Sequence, residues 1–344
     1  MTESTEDDND RITLEKVLAD SLCPPVTLND LRVYLTWSEH SVENLDFVEW
    51  YHDYKKRFLN LHANEKALSP LPKRNYRGIA SQECFIDSGY DEAFQIPVSN
   101  SDRSSLSSSN NPNRQSFKAQ NASFEMLAIP PRYSRDEISP AIQPFRNEIE
   151  DILATYIIPG APKELNLESR LRTYVIEQCK ESTHPILFEH AEKAAYEVMR
   201  DYSFPNFKQV ALTNIGRPGK IEIMCLSFGW TLLGFGIILI PLMLNKSRWW
   251  RLFGLVFFWF GFANFAAYYH KTCLRRLGSG IRDRRPYEIL YLESFDHAIE
   301  ATTKVEEPAV LEHQARVRDR YLIITAIIAL LFNFGLCAIP EQVM

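Results

Sequence analysis

Three apolar stretches crowd the last third of a 344-residue chain whose first 220 or so residues read as water-soluble. Ile221 to Leu244 holds one charged side chain, Glu222, while Leu252 to Tyr269 and Tyr321 to Pro340 hold none. A bilayer's hydrocarbon core is about 30 Å thick and takes roughly 20 apolar residues as a helix. The three stretches run to 24, 18 and 20 residues. The expected layout is a soluble domain fastened to a membrane by three spans.

The net charge of −6 and the mean hydropathy of −0.23 average an acidic, polar front with an apolar back. Met1 to Asp10 is acidic and lacks the basic start and apolar middle of a secretory signal. The expectation is therefore a front made in the cytosol, with the first span acting as an uncleaved insertion signal. The six cysteines form no C-x-x-C pair and no metal-ligand spacing, so they read as free thiols.

Basic residues beside span ends resist translocation and so set orientation. With the front inside, the inner flanks hold Lys208, Arg217, Lys220, Lys271, Arg275, Arg276, Arg282, Arg284, Arg285, Arg316, Arg318 and Arg320. The outer side holds only Lys246, Arg248 and Arg251. Twelve against three predicts a cytosolic N-terminus and an extracellular C-terminus. Polar residues within the spans are few, among them Thr231, Asn264, Thr325 and Asn333, and beyond Glu222 at the edge of the first there is no intramembrane charge of the kind that marks ion or proton paths. Gly229, Gly234, Gly236, Gly254 and Gly261 are expected to let helices approach closely. The spans thus read as anchors that pack together rather than as a channel.

The front reads as all-α. After an acidic lead over residues 1–26, Thr27 caps a helix with Leu28, Leu31 and Leu35 on one face. A second helix repeats Phe47, Tyr51, Tyr54, Phe58 and Leu61 at three- and four-residue steps. Residues 64–140 are rich in serine and proline and poor in periodic apolar positions, so a disordered insert is expected there. Helical periodicity returns with Phe145, Ile149, Ile152 and Tyr156, then with Leu167, Leu171, Val175 and Cys179. A helix starting at Pro185 then carries Leu187, Phe188, Ala191, Ala195 and Val198.

No phosphate-loop, nucleophile-elbow or zinc-helix motif is present, and the histidines are isolated. The chain is therefore not expected to be an enzyme, and no catalytic residue, metal, cofactor or nucleic acid is expected. Its oligomeric state is open at this stage.

Two stretches carry a resemblance. Glu43-Asn44-Leu45-Asp46-Phe47, with Tyr54-Lys55-Lys56 further on, is similar to the E-N-x-D-F…Y-K-K segment of regulator-of-G-protein-signalling (RGS) domains. Glu164-Leu165-Asn166-Leu167-Glu168-Ser169 resembles that family's N-L-D/E-S turn. Phe188, Ala191 and Val198-Met199…Ser203-Phe204-Pro205-Asn206-Phe207 resemble its closing helix. An RGS-like bundle over residues 27–215, with a long insert and three following spans, resembles the fungal bud-site-selection (revert to axial) family. The resemblance implies a helical bundle that grips the switch loops of a GTP-bound Gα subunit, with Glu43, Asn44, Asn166 and Ser203 on the gripping surface; read from the residues alone, Asn166 serves equally as a cap for the helix that begins near Glu168. Active RGS members have an acidic residue where this chain has Tyr202, a basic one at Asn206 and a tryptophan at Val48. It further implies a plasma-membrane protein at growth or division sites, acting in cell polarity by recognition, with a large membrane glycoprotein as companion. The alternative implied role is a GTPase activator of a Gα subunit.

Between the second and third spans, Lys271, Arg275, Arg276, Arg282, Arg284 and Arg285 are candidate contacts for anionic lipid headgroups. Cys273 stands where S-acylation occurs. Ile289, Leu292, Phe295 and Ile299 form an apolar stripe, and Pro308 starts a helix that runs into the third span.

Overall fold

The computed structural model describes residues 11–72, 139–244, 246–295 and 300–338. Most of the expected insert, the first ten residues, Ile299 and the tail after Ala338 lie outside them. Among the described residues the fold is all-α apart from one short two-stranded ribbon. In chain order the helices are α1 (Leu14–Leu18), α2 (Leu28–Tyr34), α3 (Val42–Leu59), α4 (Arg146–Ile152), α5 (Ser169–Glu181), α6 (Glu189–Val198) and α7 (Phe204–Ala211). There follow α8 (Arg217–Met243), α9 (Gly254–His270), α10 (Leu274–Gly278), α11 (Pro286–Glu293) and α12 (Pro308–Cys337). The ribbon pairs β1 (Ile281–Asp283) antiparallel with β2 (Thr302–Lys304). A helical turn at Ala63–Lys66 and the buried Ser69 fall inside the start of the span assigned to the insert.

Two compact units result, one of Glu43–Glu197 and one of Met1–Val42 with Val198–Met344. The first is held by aromatic residues that the three- and four-residue spacing of α3 puts on one face. Trp50 stacks on Tyr54 at 5.1 Å, and Phe188 meets Trp50 edge-on at 5.3 Å. Such pairs add about 0.5–1.5 kcal/mol to the burial of their area. The Tyr54 hydroxyl donates to the Thr183 carbonyl, and burial pushes its phenol well above the ordinary range. Glu148 on α4 accepts both arms of the Arg57 fork at 2.5 and 2.8 Å and the Trp50 indole N–H at 2.8 Å. These bonds, Arg57's first, hold the Glu148 carboxyl below its usual range.

In the other unit Thr27 caps α2 as the sequence predicts, in a reciprocal box with Asp30. Tyr34 of α2 lies against Phe207 of α7 at 5.6 Å and meets Tyr287 of α11 edge-on at 5.5 Å. The buried residue of α11 is Tyr287, whereas Ile289 and Leu292 are half-buried and Phe295 is exposed. The expected stripe is therefore not what docks this helix.

Three helices are long and apolar enough to cross a membrane: Arg217–Met243, Trp249–His270 and Pro308–Cys337. The second includes the 3₁₀ turn Arg248–Phe253, which leads into α9. Glycine sets their spacing at three of the five expected positions. A Cβ on Gly261 would collide with Thr231 Oγ1, one on Gly254 would come 2.9 Å from Ile238, and one on Gly234 3.0 Å from Phe258. Gly229 and Gly236 face open space. Thr325 donates to the Tyr321 carbonyl, and Asn333 to the Arg251 carbonyl across helices. The polar span residues are thus absorbed by backbone acceptors.

Candidate recognition site

Asn166 sits in a turn whose shape is fixed from both sides. Leu165 and Leu167 are buried, and the Leu167 N–H donates to the Leu165 carbonyl at 2.9 Å, closing a three-residue turn that leaves the residue between them outward. The Leu165 N–H donates to the Tyr156 carbonyl at 2.9 Å, and Arg172 donates to the Leu165 carbonyl at 2.9 Å. Arg172 also pairs with Glu164 at 2.7 Å, and Glu164 accepts from the Gly160 N–H at 2.8 Å. Asn166 itself is exposed, and its side chain makes no hydrogen bond among the described residues. It does not cap α5, whose N-cap is Glu168 without a side-chain bond. The turn is braced on both sides, and the amide stays open to solvent.

In the same unit Glu43 is half-buried in the first turn of α3, while Asn44 is only 7% exposed and already engaged within the chain. Val48 fills the core at 1% exposure. Ser203 belongs to the other unit, where it is buried and its hydroxyl donates to Glu39. Glu39 also accepts from Ser41 Oγ at 2.8 Å. Both Glu39 and Ser203 close π-helical turns, Leu35–Glu39 and Met199–Ser203. Such turns cluster at functional positions. The charge of Glu39, after burial itself, raises the pKa of the nearby Tyr34 phenol. Tyr202 and Asn206 are exposed, Tyr202 at 70%. Sequence reasoning missed Glu39, because a glutamate near a helix end gives no local sign of a partner 164 residues away.

The basic cluster after α9 divides by burial. Arg285 is buried and donates to the Ile215 carbonyl at 2.6 Å and to the Val210 and Thr213 carbonyls at 3.1 and 2.7 Å. It satisfies the open carbonyls beyond the end of α7, where a cation is also favoured by the helix dipole. Burial, then the charge of Arg282, pulls its pKa below the ordinary arginine value. Arg282 forks onto Glu288 at 2.6 and 3.2 Å, and Arg276 pairs with Asp283 at 2.9 Å. Asp283 also accepts from the Gly216 N–H at 2.7 Å. Asn214, fully buried, accepts from the Cys273 N–H at 2.7 Å and donates to the Cys273 carbonyl at 3.2 Å. Arg275 is exposed, Arg284 and Lys271 are half-buried, and Cys273 is half-buried and free. Three of the six basic residues thus hold the chain together, and three reach solvent.

A family model, "Regulator of G protein signaling domain", matches residues 133–212. That range includes Asn166, Ser203 and the turn that presents the amide. Glu43 and Asn44 lie outside it. No curated protein matches, and no solved structure matches.

Proposed function

We propose that the chain is a membrane-held recognition protein whose RGS-type helices bind a Gα-type subunit, with those helices on the cytosolic face. The observation that carries the reading is Asn166, an exposed amide without an internal bond on a turn braced by buried leucines. The match to an RGS domain over residues 133–212 supports a role in G-protein signalling. Binding, not bond chemistry, is its own contribution. Positioning and electrostatic stabilisation account for nearly all of what a protein supplies to phosphoryl transfer. A role in cell polarity and growth-site selection at the plasma membrane, beside a large membrane glycoprotein, follows from the sequence resemblance.

A second reading, acceleration of GTP hydrolysis by the bound subunit, is favoured by the same free amide. Against it stand Tyr202 and Asn206, exposed and uncharged where active RGS domains carry charge. Losing one partner of a desolvated charge pair commonly costs about 2–5 kcal/mol. Single-turnover GTP hydrolysis by candidate Gα subunits, with the full chain in lipid nanodiscs, separates the two. Binding without acceleration is the expected result, and acceleration lost in Asn166→Ala establishes the second. Absence of binding to every GTP-state subunit overturns both.

A further inference from the structure

A groove of about 330 Å³ runs between α8, α9 and α12, at the end of the bundle where α8 begins and α9 finishes. That size falls within the roughly 300–1,000 Å³ of small-molecule sites. Its walls are Leu226, Trp230, Trp259, Phe260, Ala263 and Leu322. Glu222, Arg275 and Arg276 stand at its polar end. We infer that this groove binds an anionic phospholipid, one acyl chain lying between the helices and the phosphate against Arg275 and Arg276.

Three observations carry the assignment. The walls belong to helices long and apolar enough to cross a membrane, so the medium they face is hydrocarbon and the natural apolar occupant is an acyl chain. Arg276 is only 9% exposed, and although Nε pairs with Asp283 and Nη2 approaches Glu222 at 3.6 Å, its Nη1 is buried without an acceptor among the described residues. A buried donor of this kind calls for a ligand oxygen. Finally, Arg275 and Arg276 outnumber Glu222 among the lining residues, leaving a surplus of positive charge for a headgroup. Arg275 already bonds Glu222 at 2.7 Å, which neutralises the one carboxylate lining the groove and leaves the rest of its fork free to turn toward a phosphate.

Trp230 and Trp259 report on occupancy directly. The full chain is placed in nanodiscs of phosphatidylcholine containing a low fraction of either phosphatidylserine or phosphatidylcholine brominated on the acyl chain, and tryptophan quenching is read. About fivefold preferential quenching by the brominated anionic lipid is expected, the effect of one basic residue at a membrane surface. Arg275→Glu, at a side chain 71% exposed and so tolerated by the fold, removes the preference. Ala263→Leu, which fills the groove, removes it too. Equal quenching by the two lipids overturns the assignment, as does a preference that survives both substitutions. Erasure of the preference by millimolar inorganic phosphate alone also overturns it, since the site would then read a free anion.

Discussion

At Asn166 a single amide separates two physical roles that the sequence leaves entangled. A helix cap would contribute about 1 kcal/mol, whereas an exposed amide without an internal bond contributes almost nothing to folding. Asn166→Ala is therefore expected to leave the unfolding free energy of the full chain within about 0.5 kcal/mol of the native value. Its effect should appear only in Gα binding, and a large drop in stability would return it to a structural role. His184 makes the opposite kind of prediction. Its Nδ1 accepts from the Ile186 N–H at 3.2 Å, its ring stands edge-on to Phe58 at 5.1 Å, and burial lowers its pKa to about 4. The unfolded chain protonates this imidazole near 6.5, so between roughly pH 6.5 and 4 the unfolded state binds more protons. Stability conferred by neutral His184 is complete above that window and is lost as pH falls through it, by on the order of 2 kcal/mol. Burial of His190 shifts it in the same direction. Chemical denaturation at a series of pH values should show the slope, and His184→Asn, which keeps an acceptor for Ile186, should flatten it.

At the scale of elements, periodicity foretold the helices and glycine foretold only part of their packing. Gly261→Ala is expected to destabilise the α8–α9 contact, because the new methyl would collide with the Thr231 hydroxyl and meet backbone at 3.2 and 3.3 Å. Overpacking of this kind typically costs about 1–3 kcal/mol. Gly229→Ala, with nothing within 4 Å, should be neutral or slightly stabilising through helix propensity. Thermal aggregation of the two variants in the same detergent checks the contrast, and equal behaviour would refute it. Both glycines sit in equally apolar sequence, so only the facing helix distinguishes them. The same holds for α11, where Tyr287 is buried against Tyr34, whereas Ile289 and Leu292 are half-buried and Phe295 is exposed.

Across the whole molecule, the unit that carries α2 and α7 also carries the three apolar helices and the loop between the second and third. Tyr34 packs between Phe207 and Tyr287, and the carbonyls after α7 are held by Arg285. A fragment ending at residue 215 loses these partners. Burying an aromatic side chain is worth about 1.5–3 kcal/mol, and each unmet buried carbonyl costs about 1–3. Such a fragment should be cut by protease within α2 and α7 far faster than the full chain in nanodiscs. Equal resistance would show that the loop is dispensable.

The sequence by itself determined the all-α class, the three apolar spans and the cap at Thr27. Each of these is written in neighbouring residues, as length, period or alternation. Tertiary structure alone decided that Arg276, Arg282 and Arg285 turn inward while Arg275 reaches solvent, and that Ser203 answers Glu39. It also decided that the loop beyond α9 completes the core around Tyr34. These facts depend on carbonyls, carboxylates and rings brought together from dozens to hundreds of residues apart, and a run of arginines looks the same whether or not such partners await it.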